Sequence, residues 1–173
     1  MAELPNDAGT LRLRIELWDR EAPVRGPLVA EGTDGRTPSG RLLARAGVEV
    51  LDRRDGEWWP LLRLPPILLA PGAVQALVGA LQDVLQGTSP GAAWQAGEEA
   101  PLGLQVGAPE GGEAGALLVE VGLDLSLHLA DVSASPRRPG AELALFRWTA
   151  SRSGAVAFAA GLRREAGALG ADG

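Results

Sequence analysis

From Leu117 to Leu129 every odd position is apolar: Leu117, Val119, Val121, Leu123, Leu125, Leu127 and Leu129. The even positions are Leu118, Glu120, Gly122, Asp124, Ser126, His128 and Ala130. A period of two sends successive side chains to opposite faces of an extended chain, so this stretch demands a sheet with one buried face. Thirteen residues is long for one strand, and Gly122 is the expected bulge or bend. The same alternation opens the chain. Leu11, Leu13, Ile15 and Leu17 interleave with Arg12, Arg14, Glu16 and Trp18.

A hairpin and a helix separate these two stretches. Arg41 to Asp52 carries Val48-Glu49-Val50, and Glu57 to Leu64 carries Trp58, Trp59 and Leu62. Asp55-Gly56 between them has the composition of a two-residue type I′ turn. Pro71 then suits the first turn of a helix over 71–86, where a missing N–H costs nothing. Val74, Leu77, Val78, Leu81 and Leu85 share one helical face, and Gly87 has the left-handed freedom that ends helices. Further on, Leu102 to Val106 alternates as a strand, Gly107 to Gly115 reads as a turn, and Glu142 to Thr149 makes the last strand. Ser151 or Ser153 caps a closing helix over 152–168, with Phe158, Leu162, Ala166 and Leu169 on its inner face. Pro23 to Gly40 is rich in Gly, Pro, Thr and Asp, with a short edge strand expected around Leu28 to Glu31.

The pattern is α+β: antiparallel sheets in two β-rich halves, each followed by one main helix. The 173 residues make a single compact domain, with halves 10–86 and 101–169 joined by a linker over 87–100. Gly72-Ala73-Val74 with Gly79 echoes Gly154-Ala155-Val156 with Gly161, as an internal duplication would. The expected core includes Leu77, Leu81, Leu117, Val119, Val121, Leu123, Phe158 and Leu162.

The residue inventory weighs against most catalytic chemistry. With no Cys there is no thiol nucleophile, disulfide or thiolate metal site. All 16 basic residues are Arg, so a Walker-type phosphate loop has no Lys to complete it. The single His, His128, shares a strand face with Ser126 and Asp124, but a row spaced about 7 Å per step does not converge as a triad must. Neither a catalytic residue, a metal site nor a cofactor is expected. No apolar run approaches the ~20 residues of a membrane span, and residues 1–10 lack a signal-peptide pattern. A soluble, cytoplasmic protein is expected, and the absence of Lys and Tyr reads as the bias of a GC-rich bacterial genome.

Charge separates along the chain. Seven acids and no base fall between Gly87 and Asp131, whereas six Arg follow between Val132 and Gly170. An acidic surface of Glu98, Glu99, Glu110, Glu113 and Asp131, with Trp94 as its apolar anchor, fits a basic protein partner. The alternative is a single-stranded nucleic-acid surface on the hairpin, where Trp58 and Trp59 lie among Arg53, Arg54 and Arg63. Trp58 and Trp59 must face opposite sides, so one is expected in the core. A net charge of −6 disfavours nucleic acid at long range. A homodimer is compatible with either reading.

The second half runs from Trp94-Gln95-Ala96-Gly97 through Leu102-x-Leu104-x-Val106, the glycine-rich turn and Leu117-x-Val119-x-Val121-x-Leu123 to the helix bearing Phe158 and Leu162. Over residues 57–169 it resembles the WapI-type immunity-protein families, built as two strand-rich halves each closed by a helix. That resemblance implies a non-catalytic, toxin-neutralising binding protein with no catalytic residues to carry over. Pro23 to Gly40 is not part of that pattern. In topology alone, the order is similar to Whirly-like and PUR-like proteins with repeated four-strands-plus-helix units.

Overall fold

The computed structural model describes residues 1–20, 42–64, 67–70, 72–96, 102–109, 115–124 and 143–169. Two antiparallel sheets and two helices make up an α+β fold, as the alternation requires. The first sheet is a meander of β1 (Ala2–Pro5), β2 (Leu11–Arg20), β3 (Leu42–Leu51) and β4 (Trp58–Arg63), with β5 (Ile67–Leu69) paired to the far end of β3. Pro65 and Pro66, which have no N–H to give a ladder, separate β4 from β5 in the sequence. Helix α1 (Ala73–Gln86) follows. The second meander is β6 (Gly91–Gln95), β7 (Leu102–Gly107), β8 (Ala116–Asp124) and β9 (Leu143–Ser151), and α2 (Arg152–Ala168) closes it.

Registers match the apolar phases. Leu13, Ile15 and Leu17 of β2 oppose Val48, Ala46 and Ala44 of β3, all buried. In the second sheet Val119 and Val121 oppose Val106 and Leu104 on one side, and Trp148 and Phe146 on the other. Every expected core position is buried: Leu77, Leu81, Leu117, Val119, Val121, Leu123, Phe158 and Leu162. Each large aliphatic or aromatic side chain placed this way contributes about 1.5–3 kcal/mol relative to exposure.

Gly87 takes φ +75° and its N–H meets the Asp83 and Val84 carbonyls, the left-handed stop expected of it. Ser151 caps α2, its hydroxyl accepting from the Gly154 N–H at 3.1 Å. On α1, Val84 is buried while Leu85 is only half-buried.

Several expectations need correction. The ladder passes through Gly122 in register on both sides, so Gly122 marks no bulge. The hairpin exists, but its turn is longer than type I′. Asp52 and Glu57 close it with a 2.8 Å bond, the Gly56 N–H returns to the Asp52 carbonyl, and only Gly56 has positive φ. Helix α1 begins at Ala73 behind Gly72, so Pro71 lies ahead of it and outside the described residues. Strand β6 occupies the stretch expected as a linker, and β1 precedes the expected first half. The Gly-Ala-Val echo is not a structural equivalence either. Val74 is buried whereas Val156 is 53% exposed. The buried faces instead align Val74, Leu77, Val78 and Leu81 with Ala155, Phe158, Ala159 and Leu162, one residue out of phase with the echo. The edge strand expected at Leu28 to Glu31, and the continuation of the long alternating stretch past Asp124, lie outside the described residues.

The halves interlock. Helix α2 packs chiefly on β1 and β2 of the first sheet, α1 packs on β6 and β7 of the second, and the helices pack on each other. Gly161 permits the closest approach: a Cβ there would lie 3.1 Å from the Ala2 Cβ. The Glu165 carboxylate of α2 accepts the Leu17 N–H at 2.9 Å, and the Trp94 indole N–H of β6 donates to the Ala73 carbonyl at the start of α1, also at 2.9 Å. Each helix therefore covers the other half's strands.

Two measurements follow. Val121→Ala should lower unfolding free energy by about 1–3 kcal/mol in urea titration, through the lost methyls and the residual cavity. A fragment of residues 1–89, which lacks α2, should show no cooperative unfolding transition. A cooperative transition in that fragment would mean that the first half folds alone.

Candidate functional site

The face of the first sheet turned away from the helices carries the polar phase of its strands. Strand β2 places Arg12, Arg14, Glu16 and Trp18 there, and β3 places Arg45, Gly47 and Glu49. Pairing sets Arg12 beside Glu49, Arg14 beside Gly47, and Glu16 beside Arg45. Glu3 of β1 stands opposite Arg14.

A bulge brings β4 into this face. Trp58 pairs with Leu51 and Pro60 with Glu49, then the register shifts so that Leu62 pairs with Val48 and Arg63 with Gly47. Leu61 is the extra residue, and it is exposed. A regular strand would put Trp58 and Arg63 on opposite faces because their numbers differ in parity. The bulge reverses the phase, turning Leu62 toward the core and Arg63 to the side of Trp58.

Glu49 is the anchor of the polar network and is 3% exposed. Its Oε2 accepts from Arg12 Nε at 2.8 Å and meets Arg12 Nη2 at 2.7 Å, while Oε1 lies 3.4 Å from Arg14 Nη1. Arg12 Nη1 also donates to Glu3 at 2.9 Å, and its guanidinium carbon lies 4.0 Å from the Trp58 ring centre. These contacts occupy Arg12 on its edges and one face. Arg14 reaches Glu16 at 3.7 Å. Buried charge is tolerated here because it is paired, with two short contacts from Arg12 to Oε2.

Two cations are left less committed. The Arg45 guanidinium carbon lies over Trp18, 3.6 Å from the ring centre, and among the described residues Arg45 makes no ion pair within 4.0 Å. Arg63 is 65% exposed and only reaches Glu49 at 4.0 Å. Between them is Gly47. The shifted β4 backbone comes so near that a Cβ on Gly47 would lie 2.7 Å from the Leu62 carbonyl oxygen. The missing side chain leaves an open cleft of about 340 Å³ lined by Arg14, Glu16, Arg45, Gly47, Glu49 and Arg63, with Ala46 and Leu64 beside them.

The hairpin residues expected to bind nucleic acid are only partly brought together. Arg63 is at the cleft, and Trp58 is half-buried on the same face. Trp59 shares the phase of Val50 on the opposite face and is 53% exposed, so neither indole enters the core, contrary to the expectation. Arg53 and Arg54 are exposed in the turn, where the Arg54 N–H donates to the Asp52 side chain at 2.9 Å. Arg12, Arg14, Trp18, Arg45 and Glu49 were not singled out from the sequence, although the alternation of Leu11 to Trp18 already puts three of them on one face.

Glu98, Glu99, Glu110, Glu113 and Asp131 lie outside the described residues, as do His128 and Ser126. Trp94, their expected anchor, is instead a core residue whose indole N–H is bonded to the Ala73 carbonyl, so it is not a surface anchor. Glu120, from the same acidic stretch, is engaged by Arg147, whose Nε donates at 2.8 Å. Among the described residues there is no group of three or more His, Asp or Glu side chains suited to a metal ion, and no helix long and apolar enough to cross a membrane.

Removing Glu49 should expose how much the face depends on it. Glu49→Ala leaves Arg12 largely buried without its principal partner, a change worth on the order of 3 kcal/mol in unfolding free energy. An Arg12→Ala/Glu49→Ala cycle should return a coupling energy well above that of an exposed pair. No family model, characterised protein or solved structure matches this chain.

Proposed function

We propose that the protein is a binding module that takes single-stranded nucleic acid across the open face of its first sheet. One observation carries the reading: Trp18 and Trp58 share that face, each stacked with a guanidinium, with the cationic cleft between them. Single-strand binders combine a cationic track for the backbone with aromatic rings for the bases, which is this combination of groups. The β3 neighbours of the two indoles are Leu43 and Leu51, so the indoles stand roughly 25 Å apart along the sheet at the strand rise per residue. That span suits a few nucleotides of extended strand. Duplex is disfavoured, because stacking on indole requires splayed bases.

The charge balance favours nucleic acid over an acidic polypeptide only in combination with the rings. The face has four guanidiniums (Arg12, Arg14, Arg45, Arg63) against three carboxylates (Glu3, Glu16, Glu49). Carboxylates alone would engage the arginines and leave both indoles unused.

Oligomers of dT and rU of about 12 nucleotides, within the usual site size, test the reading by tryptophan quenching. Quenching should saturate at low salt and weaken as salt rises, with a log–log slope of about −0.7 per phosphate contact. Trp18→Ala and Trp58→Ala should each weaken binding by about tenfold or more, the loss of one stacked base. Absence of quenching at low salt, or tighter binding of oligoglutamate than of oligonucleotide, would overturn it.

A further inference from the structure

Gly47 has four neighbours on the open face. Arg14 stands across on β2, Arg63 across on β4, Arg45 two residues before it on β3 and Glu49 two residues after it. Three of the four are guanidiniums. The bulge explains why position 47 is glycine, since the Leu62 carbonyl occupies the space of a Cβ. It does not explain why the gap is ringed by arginine.

We infer that the notch over Gly47 is a phosphate subsite, in which Arg45 and Arg63 grip one phosphoryl group from opposite sides; the inference rests on the nucleic-acid reading of this face. The commitments of the surrounding groups favour it. The oxygens of Glu49 are turned first to Arg12 at 2.7 Å and Arg14 at 3.4 Å, and Arg63 reaches the carboxylate only at 4.0 Å. Glu16 is drawn toward Arg14 at 3.7 Å. Arg45 and Arg63 thus retain donors for a ligand. A guanidinium offers paired N–H groups at the spacing of two phosphoryl oxygens, and two of them present a fork on each side. The cleft, about 340 Å³, holds a phosphate together with part of its sugar. Arg45 joins the two functions: its guanidinium carbon lies over Trp18, and the residue also lines the cleft.

The phosphate can come from a nucleic-acid backbone or from a free anion, and the experiment separates the two. The intact protein, its Arg45→Gln/Arg63→Gln variant and an Arg164→Gln control are titrated with a dT oligomer over a series of salt concentrations. Inorganic phosphate and pyrophosphate are titrated separately. Both cleft arginines are exposed, so the double variant should unfold with the same transition as the parent. Arg164 is exposed on α2, away from this face. Gly47 itself is not substituted, because the backbone clash would disturb the bulge.

The double variant should bind the oligomer at least about tenfold more weakly, with the salt slope reduced by about 0.7 for the one lost phosphate contact, while Arg164→Gln leaves both unchanged. Pyrophosphate should compete with the oligomer on the parent protein and fail to compete on the double variant. If the parent binds the oligomer and the double variant binds with the same affinity and slope, the subsite is refuted while the nucleic-acid reading stands. If the parent binds pyrophosphate through Arg45 and Arg63 but no oligomer, the subsite stands as a free-anion site and the nucleic-acid reading falls. If the parent binds neither, both fall.

Discussion

The crossing of the two helices is the constraint on which the rest of this structure depends. Each helix leaves its own half and packs chiefly on the other half's strands, with Gly161 of α2 against Ala2 of β1 at the tightest point. A four-stranded antiparallel meander has one apolar face to cover. Exchange of covers ties the two meanders into one core, and Ile15, Leu77, Trp94 and Leu162, from both sheets and both helices, line the same small interior gap. The helices serve the inner faces, so among the described residues no helix covers the outer face of either sheet. On the first sheet that is where Arg12, Arg14 and Glu16 of β2 and Arg45 and Glu49 of β3 go.

On the first sheet, the polar phase is organised around a buried carboxylate. A surface glutamate among arginines adds little to stability, because water screens the pairing and side-chain entropy opposes it. Glu49 differs because it is enclosed by the arginines it binds. The bulge at Leu61 shapes this enclosure, swinging Arg63 onto the same face and forcing glycine at position 47. Stability and recognition are divided among the arginines. Arg12 is committed to Glu49, Glu3 and Trp58, whereas Arg45 and Arg63 retain exposed donors. A single irregularity of one residue therefore separates a structural ion pair from a receptive cleft.

Much of this was legible in the sequence, and the failures have physical causes. Period-two runs at Leu11 to Leu17 and Leu117 to Leu123 marked the central strands, and period-3.6 faces marked both helices, because burial of one face dictates those spacings. Strands β1 and β6 were missed: Ala2–Pro5 and Gly91–Gln95 are only four and five residues long, too short for a period of two to stand out, although Ala2 and Leu4 do alternate into the core. Trp58 and Trp59 were misread because alternation near a sheet corner does not guarantee a covering helix. The cleft was the least legible feature. Arg12, Arg14 and Trp18 could have been assigned to one face from parity alone, but Arg63 has the wrong parity relative to Trp58, and only the bulge makes them neighbours. Bulges leave weak sequence signals when no glycine supplies the extra residue, as with Leu61.

The overall charge of −6 sets a physical bound on how such a face can bind a polyanion. Long-range repulsion lowers the encounter rate, most of all at low salt, where fields extend farther from the surface. At physiological ionic strength the Debye length is about 8 Å, so charges farther away contribute little to a ligand already seated on the sheet. Affinity then comes from the nearest groups, the two indoles with their guanidinium neighbours and the exposed Arg63. A Trp ring stacked with a guanidinium makes stacking and cationic contact local to the same site. The acidic remainder of the chain disfavours indiscriminate binding to duplex, whose attraction is mainly electrostatic. The same charge that slows association therefore raises the relative weight of stacking, and with it the preference for unpaired bases.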